Sequence, residues 1–288
     1  MTFTKSVTKA LLVTAMLGLA GSAMAASAPG EADPDIVALV PEQYRGQALP
    51  VVLGDTIPPM YFRDANGVLQ GSEQEFGNAV AAKMGVTMNW EIMPFAPVIP
   101  GLQAGRYVAT FYGLEATAER AKIIDVIAYY KSGLALVAAT DSGVELGGEL
   151  TDLCGHTLGG MAGASGAVYL ESVSTDKCVP AGLKPIEVLT FPDTAALHLA
   201  VKSKRVEAMI LFNVAAGYLA SSDAQWKLVG PVLIKPAISG LGVSKESGLT
   251  EAFQAAIKAV LDDGTDATIR AKYNLKTETF DPVINPNK

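Results

Sequence analysis

The sequence predicts an α/β fold in two lobes, and three observations carry that expectation. Strand-like apolar runs alternate with helical patterns over residues 49–114, and a second such series starts after Asp141. Alternation of this kind argues for mainly parallel sheets covered on both faces by helices. Extended segments near residues 134–140 and 233–243 are placed to carry the chain from one series to the other and back. Half of the 288 residues are apolar, enough to fill two such cores.

Taken in order, Lys5 and Lys9 precede an apolar stretch over 10–20, and Ala23-Met24-Ala25 is an A-x-A cleavage pattern. Residues 1–25 therefore read as a cleaved secretory signal peptide, since the apolar run is shorter than the ~20 residues a membrane span needs. No other long apolar run follows, and no cysteine stands just after the small residues, so neither membrane insertion nor a lipid anchor is expected. The expected location is the periplasm. Cleavage removes two lysines and no acids, leaving 22 − 2 = 20 Lys+Arg against 29 Asp+Glu, a net charge of −9 that disfavours nucleic acid as a partner. Cys154 and Cys178, an even count in an exported chain, favour a disulfide; a metal pair is the other reading, with no ligand spacing beside it.

Residues 26–48 read as an N-terminal extension with a mobile start over 27–35, and the fold proper is expected near Leu49. A buried strand over 49–53 leads to a loop at Ile57-Pro58-Pro59-Met60 and a turn at Asp64-Ala65-Asn66-Gly67. Ser72-Glu73-Gln74-Glu75 fits a capping box for a helix through Phe76, Val80 and Met84, stopped by Gly85. A strand over 86–92 follows, then Phe95, a short helix through Val98, Ile99 and Leu102 stopped by Gly105, and a strand over 107–114. Arg120 then falls beyond that strand's carboxyl end, where α/β proteins bind ligands. The second series has strands over 157–160, 186–189 and 206–211. Its helices span 167–173, after the small-residue turn Gly163-Ala164-Ser165-Gly166, and 194–204, with Asp193 as cap. A helix over 250–261, through Phe253, Ile257, Val260 and Leu261, returns the chain to the first lobe. The expected division is 49–137 and 236–288 for one lobe and 138–235 for the other.

Over nearly all of residues 49–285 the chain resembles the periplasmic solute-binding proteins of the polar amino-acid ABC importers. The matching residues are Phe95, the run Ile99-Pro100-Gly101-Leu102-Gln103-Ala104-Gly105-Arg106, Thr117 to Arg120 ("TAER"), "DLCG" at 152–155, "RVEA" at 205–208 and "PVIN" at 282–285. The resemblance implies a type II periplasmic-binding-protein fold: a monomeric clamshell on two hinge segments that hands a small solute to a membrane permease with cytoplasmic ATPases. It implies no cofactor. The chain itself has neither a phosphate-binding G-x-x-x-x-G-K-[ST] loop nor a dinucleotide glycine fingerprint.

The resemblance also implies a site. Arg120 would grip a ligand carboxylate with its planar fork; the competing reading is a surface arginine paired with Glu115 or Glu119. Gly163 to Gly166 falls where relatives carry a hydroxyl-bearing turn for an anion, of which Ser165 and the main chain remain; an ordinary strand-to-helix turn is the alternative. Around Gly113 the chain departs from its relatives, with Tyr112 and Glu115 where small hydroxyl residues are usual. Phe212, next to Asn213, aligns with the aspartate that takes an α-ammonium. Phe95, Tyr112 and Phe212, with Met60 and Tyr61, would then wall the site with aromatics, or else pack into the lobes, while Glu115 supplies negative charge. Asp55, near the first strand's end, is a further candidate acid. Two other functions share the architecture: a ligand-sensing subunit for a chemoreceptor or kinase, and a dehydratase or lyase. For an enzyme the chain offers only His156 and His198, with no metal spacing and no Ser-His-Asp set.

Overall fold

In the computed structural model, which describes residues 31–54, 56–230 and 235–288, one continuous sheet runs through both lobes. The signal peptide expected over 1–25 lies outside the described residues. Helix α1 (Pro34–Leu39) comes before the expected start of the fold. The Asp33 carboxylate accepts from the amides of Asp35 and Ile36, Pro34 opens the helix, and Ile36 and Val40 are buried, so the part of the mobile start at 33–35 is instead tied down. Strand β1 (Ala48–Leu53) is followed by the hairpin β2 (Phe62–Arg63) and β3 (Leu69–Gln70), turned where Asp64 to Gly67 predicted it.

Helix α2 (Ser72–Lys83) forms as expected, but its capping box does not. The cap is Gly71 at φ 132°, where a side chain would run into the Met60 backbone. The amides of Ser72 and Glu73 are satisfied by the carbonyls of Pro59 and Met60, 3.0 and 2.9 Å away, so the preceding loop does what the Ser72 hydroxyl was expected to do. Next come β4 (Thr87–Ile92), α3 (Val98–Gln103), β5 (Ala109–Glu115) and the short α4 (Ala118–Ile123), capped by the Thr117 hydroxyl. The long strand β6 (Asp125–Ala139) follows. The second lobe holds β7 (Thr157–Met161), α5 (Ser165–Val173), β8 (Glu187–Phe191), α6 (Thr194–Lys202), β9 (Ala208–Phe212), α7 (Asn213–Ser222) and β10 (Trp226–Val229). Asp193 caps α6 as predicted, accepting from the Ala196 amide at 2.7 Å. Strand β11 (Lys235–Val243), α8 (Thr250–Asp262), α9 (Thr265–Lys272) and β12 (Thr279–Ile284) close the chain; α7 and α9 were not foreseen.

The strand order is β4-β1-β5-β11-β6-β9-β7-β8, with β10 and β12 also on β6. Strands β4, β1 and β5 are mutually parallel, as are β8, β7 and β9. β6 joins the two sets: its first part pairs antiparallel with β11 and β12, its last part with β9 and β10. Between them a buried hydrogen bond of 2.7 Å ties Ser132 on β6 to Ser239 on β11. Toward its end β6 is buried on both faces, Leu134, Leu136 and Ala138 entering one core and Ala135 and Val137 the other. On α8, Phe253, Ile257 and Val260 are fully buried, the stripe the sequence predicted. In the second lobe Cys154 and Cys178 form a disulfide, joining the turn before β7 to the end of the α5 helical run.

Candidate functional site

The parallel strands aim their carboxyl ends at a common cleft, and the sequence-predicted site residues sit at or beyond those ends. Tyr61 is in the connection after β1 and Phe95 after β4; Tyr112, Gly113 and Glu115 end β5, and Arg120 follows on α4. From the second lobe Ser165 opens α5 after β7, and Phe212 and Asn213 stand at the junction of β9 and α7. Asp55 lies outside the described residues.

The first-lobe wall is built on a bulge. Opposite β11, the pairs Leu114–Gly240 and Thr110–Gly242 leave two extra residues on β5, and Gly113 has φ 72°. A Cβ there would meet the Tyr130 hydroxyl at 2.6 Å, so the bend requires glycine. The bulge sets Tyr112 edge-on between Tyr61 and Phe95, with ring centroids 5.4 and 5.0 Å away. The Arg120 guanidinium lies 5.7 Å over the Phe95 ring and donates to the Glu115 carbonyl oxygen at 2.9 Å. Burial lowers its pKa, and the Glu115 charge opposes that shift. Glu115 is only 6 % exposed, so its charge meets Arg120 inside the protein and not as a surface pair. Tyr61, Tyr112 and Phe95 are themselves almost wholly buried and pack on one another, as the second of the two readings of these aromatics expected.

The second-lobe wall is less complete. Phe95 reaches across to it, since a Cβ at Gly163 would touch the Phe95 ring at 3.7 Å. Beside that contact, the Ser165 hydroxyl and the Asn213 carboxamide oxygen are buried and have no hydrogen-bond partner among the described residues. Buried polar atoms left unpaired are costly, and their presence in a cleft marks where a ligand group would bind. Between the lobes lies a cavity of about 390 Å³, counted with its open mouth, bounded by Ile57 of the first lobe and by Met161, Ala164, Ile210 and Phe212 of the second. The sequence reading overlooked Ile57 and Met161. Met161 ends β7, so the strand-end rule that selected Arg120 would have found it.

Behind Gly113, on the side of the Tyr130 hydroxyl, is a buried polar cluster that the sequence reading also missed. Glu73 is pushed up to about 7 by burial, with Asp266 adding to the shift and Arg270 and a long hydrogen bond from Tyr129 opposing it. Arg270 is held by Asp266 at 2.6 Å and lies 5.7 Å over the Tyr130 ring. The two histidines are engaged outside the cleft residues, His156 with Glu207 at 2.8 Å and His198 beside the Trp226 ring. Among the described residues no group of three or more His, Cys, Asp or Glu side chains is placed to hold a metal, and no helix is long and apolar enough to cross a membrane.

Comparison with known proteins gives one consistent picture. Residues 49–276 match the family described as bacterial extracellular solute-binding proteins, family 3. The arginine-binding protein of Corynebacterium glutamicum is 26 % identical over 255 residues, 87 % of this chain and 82 % of that one. The L-arginine-binding protein of Pseudomonas aeruginosa is 27 % identical over 225 residues, 75 % of this chain and 83 % of its own. Among solved structures, an ancestral arginine-binding protein bound to arginine superimposes with a TM-score of 0.70 at 30 % identity, covering 80 % of this chain and 99 % of that one.

Proposed function

We propose that this chain, which belongs to the family-3 bacterial extracellular solute-binding proteins, is the periplasmic subunit of an ABC importer that captures a small amino-acid-like or carboxylate-bearing solute and delivers it to a membrane permease. The carrying observation is the convergence of Arg120 and Phe95 from one lobe with the unpartnered Ser165 hydroxyl and Asn213 oxygen of the other. In this reading residues 49–137 and 236–288 form one jaw and 138–235 the other, and the paired strands β6 and β11 flex between them. Arg120 receives the anionic group, the Ser165 hydroxyl donates to it, the Asn213 carboxamide oxygen accepts from a donor elsewhere on the solute, and closure presents the loaded form to the permease. Both relatives named above bind arginine by their names, which supports an amino-acid-sized solute. The matched relatives are binding proteins, which favours capture over catalysis.

A thermal-shift screen of the mature protein over amino acids, betaines, polyamines and small carboxylates tests the proposal. A ligand at 100 times its Kd adds about 2.7 kcal/mol of stability. Scattering from the mature protein with such a ligand should show a monomer with a smaller radius of gyration; no hit in any class, or a hit without compaction, would count against capture by closure.

A further inference from the structure

We infer that the solute is a compact apolar monocarboxylate, aryl or branched-chain, without an ammonium group; this rests on the solute-capture reading and names the kind of solute. Three observations lead there. First, none of the described residues bounding the interlobe cavity is charged; its walls are Ile57 on one side and Met161, Ile210 and Phe212 on the other. Second, Glu115, the acid that ends β5 beside Arg120, is buried with its charge set against that arginine, and Arg120 also donates to the Glu115 carbonyl. A ligand cation would have to draw Glu115 away from that arginine. Third, the polar atoms without a partner among the described residues are neutral: the Asn213 carboxamide oxygen can accept from a ligand hydroxyl, and the Ser165 hydroxyl can pair with a hydroxyl or a carbonyl beside the carboxylate.

The physical consequence is a sorting by charge. A guanidinium or ammonium enclosed by Ile57, Met161 and Phe212 loses its hydration and finds no counter-ion among the described residues that bound the cavity, whereas an aryl or branched alkyl group in the same space gains in proportion to the apolar area it buries. The carboxylate remains the shared element, held by the Arg120 fork.

Calorimetry with matched probes tests this on the mature chain: phenyllactate and 2-hydroxyisocaproate, their amino counterparts phenylalanine and leucine, and the cations arginine and lysine. The expected result is that each hydroxy acid binds at least tenfold more tightly than its amino counterpart, and arginine and lysine more weakly than either. The variant Phe212→Asp, checked for folding by its melting transition, is expected to reverse the order within each matched pair, and Phe212→Leu to keep it. Tighter binding of arginine or lysine than of the hydroxy acids would overturn the inference and leave solute capture standing. Failure of all six probes would also overturn it, and the broader thermal-shift screen then decides solute capture separately.

Discussion

The two walls of the cleft are finished to different degrees. On the first lobe Tyr61, Tyr112, Phe95 and Arg120 hold one another in a chain of ring contacts, and the arginine already has an acceptor in the Glu115 carbonyl. On the second lobe Ser165 and Asn213 each keep a buried polar atom without a partner among the described residues. A wall packed in advance loses little side-chain entropy when a ligand arrives, while an unsatisfied wall gains most when the ligand completes it. In the proposed reading the first lobe would hold the solute in place, and the second would gain most from its arrival. The lobes are also stabilised differently, the first around a buried Glu73–Arg270–Asp266 cluster and the second by a disulfide.

The sharpest way to break this comparison is at Arg120. Arg120→Ala should cost roughly 2–5 kcal/mol of affinity for a carboxylate ligand, the range for truncating one partner of a buried charge pair. Calorimetry with unchanged affinity would move the anchor to the other wall.

Glu73 and the cystine test the two modes of stabilisation. The Glu73 carboxyl rises from 4.5 to about 7 on folding, so the folded protein holds this proton more tightly than the unfolded chain. Its contribution is fully present below pH 4.5, declines as pH rises toward 7, and is absent above it, a change on the order of 3 kcal/mol. Glu73→Gln should flatten that part of the pH profile in urea unfolding between pH 5 and pH 8; an unaltered slope would show that other groups cause it. In the second lobe, Cys154→Ser with Cys178→Ser should lower stability by about 3 kcal/mol. The loss should appear as faster proteolysis within residues 138–235, and equal loosening of both lobes would argue against separate modes of stabilisation.

Much of this was legible in the sequence because it depends on local pattern. The strand-helix alternation, the Asp193 cap, the α8 stripe and the placement of Arg120 past β5 follow from spacing alone. What escaped depends on contacts distant along the chain. Ser72 looks like a helix cap until the Met60 and Pro59 carbonyls take the first amides, and Glu73 looks like a solvated first-turn acid until α9 brings Asp266 and Arg270 against it. Helix α1 is a different case, because Asp33-Pro34 is a cap followed by a first-position proline and was readable from those two residues.

The smallest expected effect is the most discriminating for the unfinished wall. Ser165→Ala removes a buried hydroxyl that has no partner without ligand, so it should leave the melting temperature of the ligand-free protein unchanged or slightly raised. If a ligand engages the hydroxyl as proposed, its loss should weaken binding by about 1 kcal/mol, close to the net value of one hydrogen bond. The opposite signs are what distinguish a waiting group from a structural one. A Ser165→Ala protein destabilised by more than about 1 kcal/mol without ligand, and binding as before, would mean that the hydroxyl supports the α5 N-terminus instead. The asymmetry between the two walls would then rest on Asn213 alone.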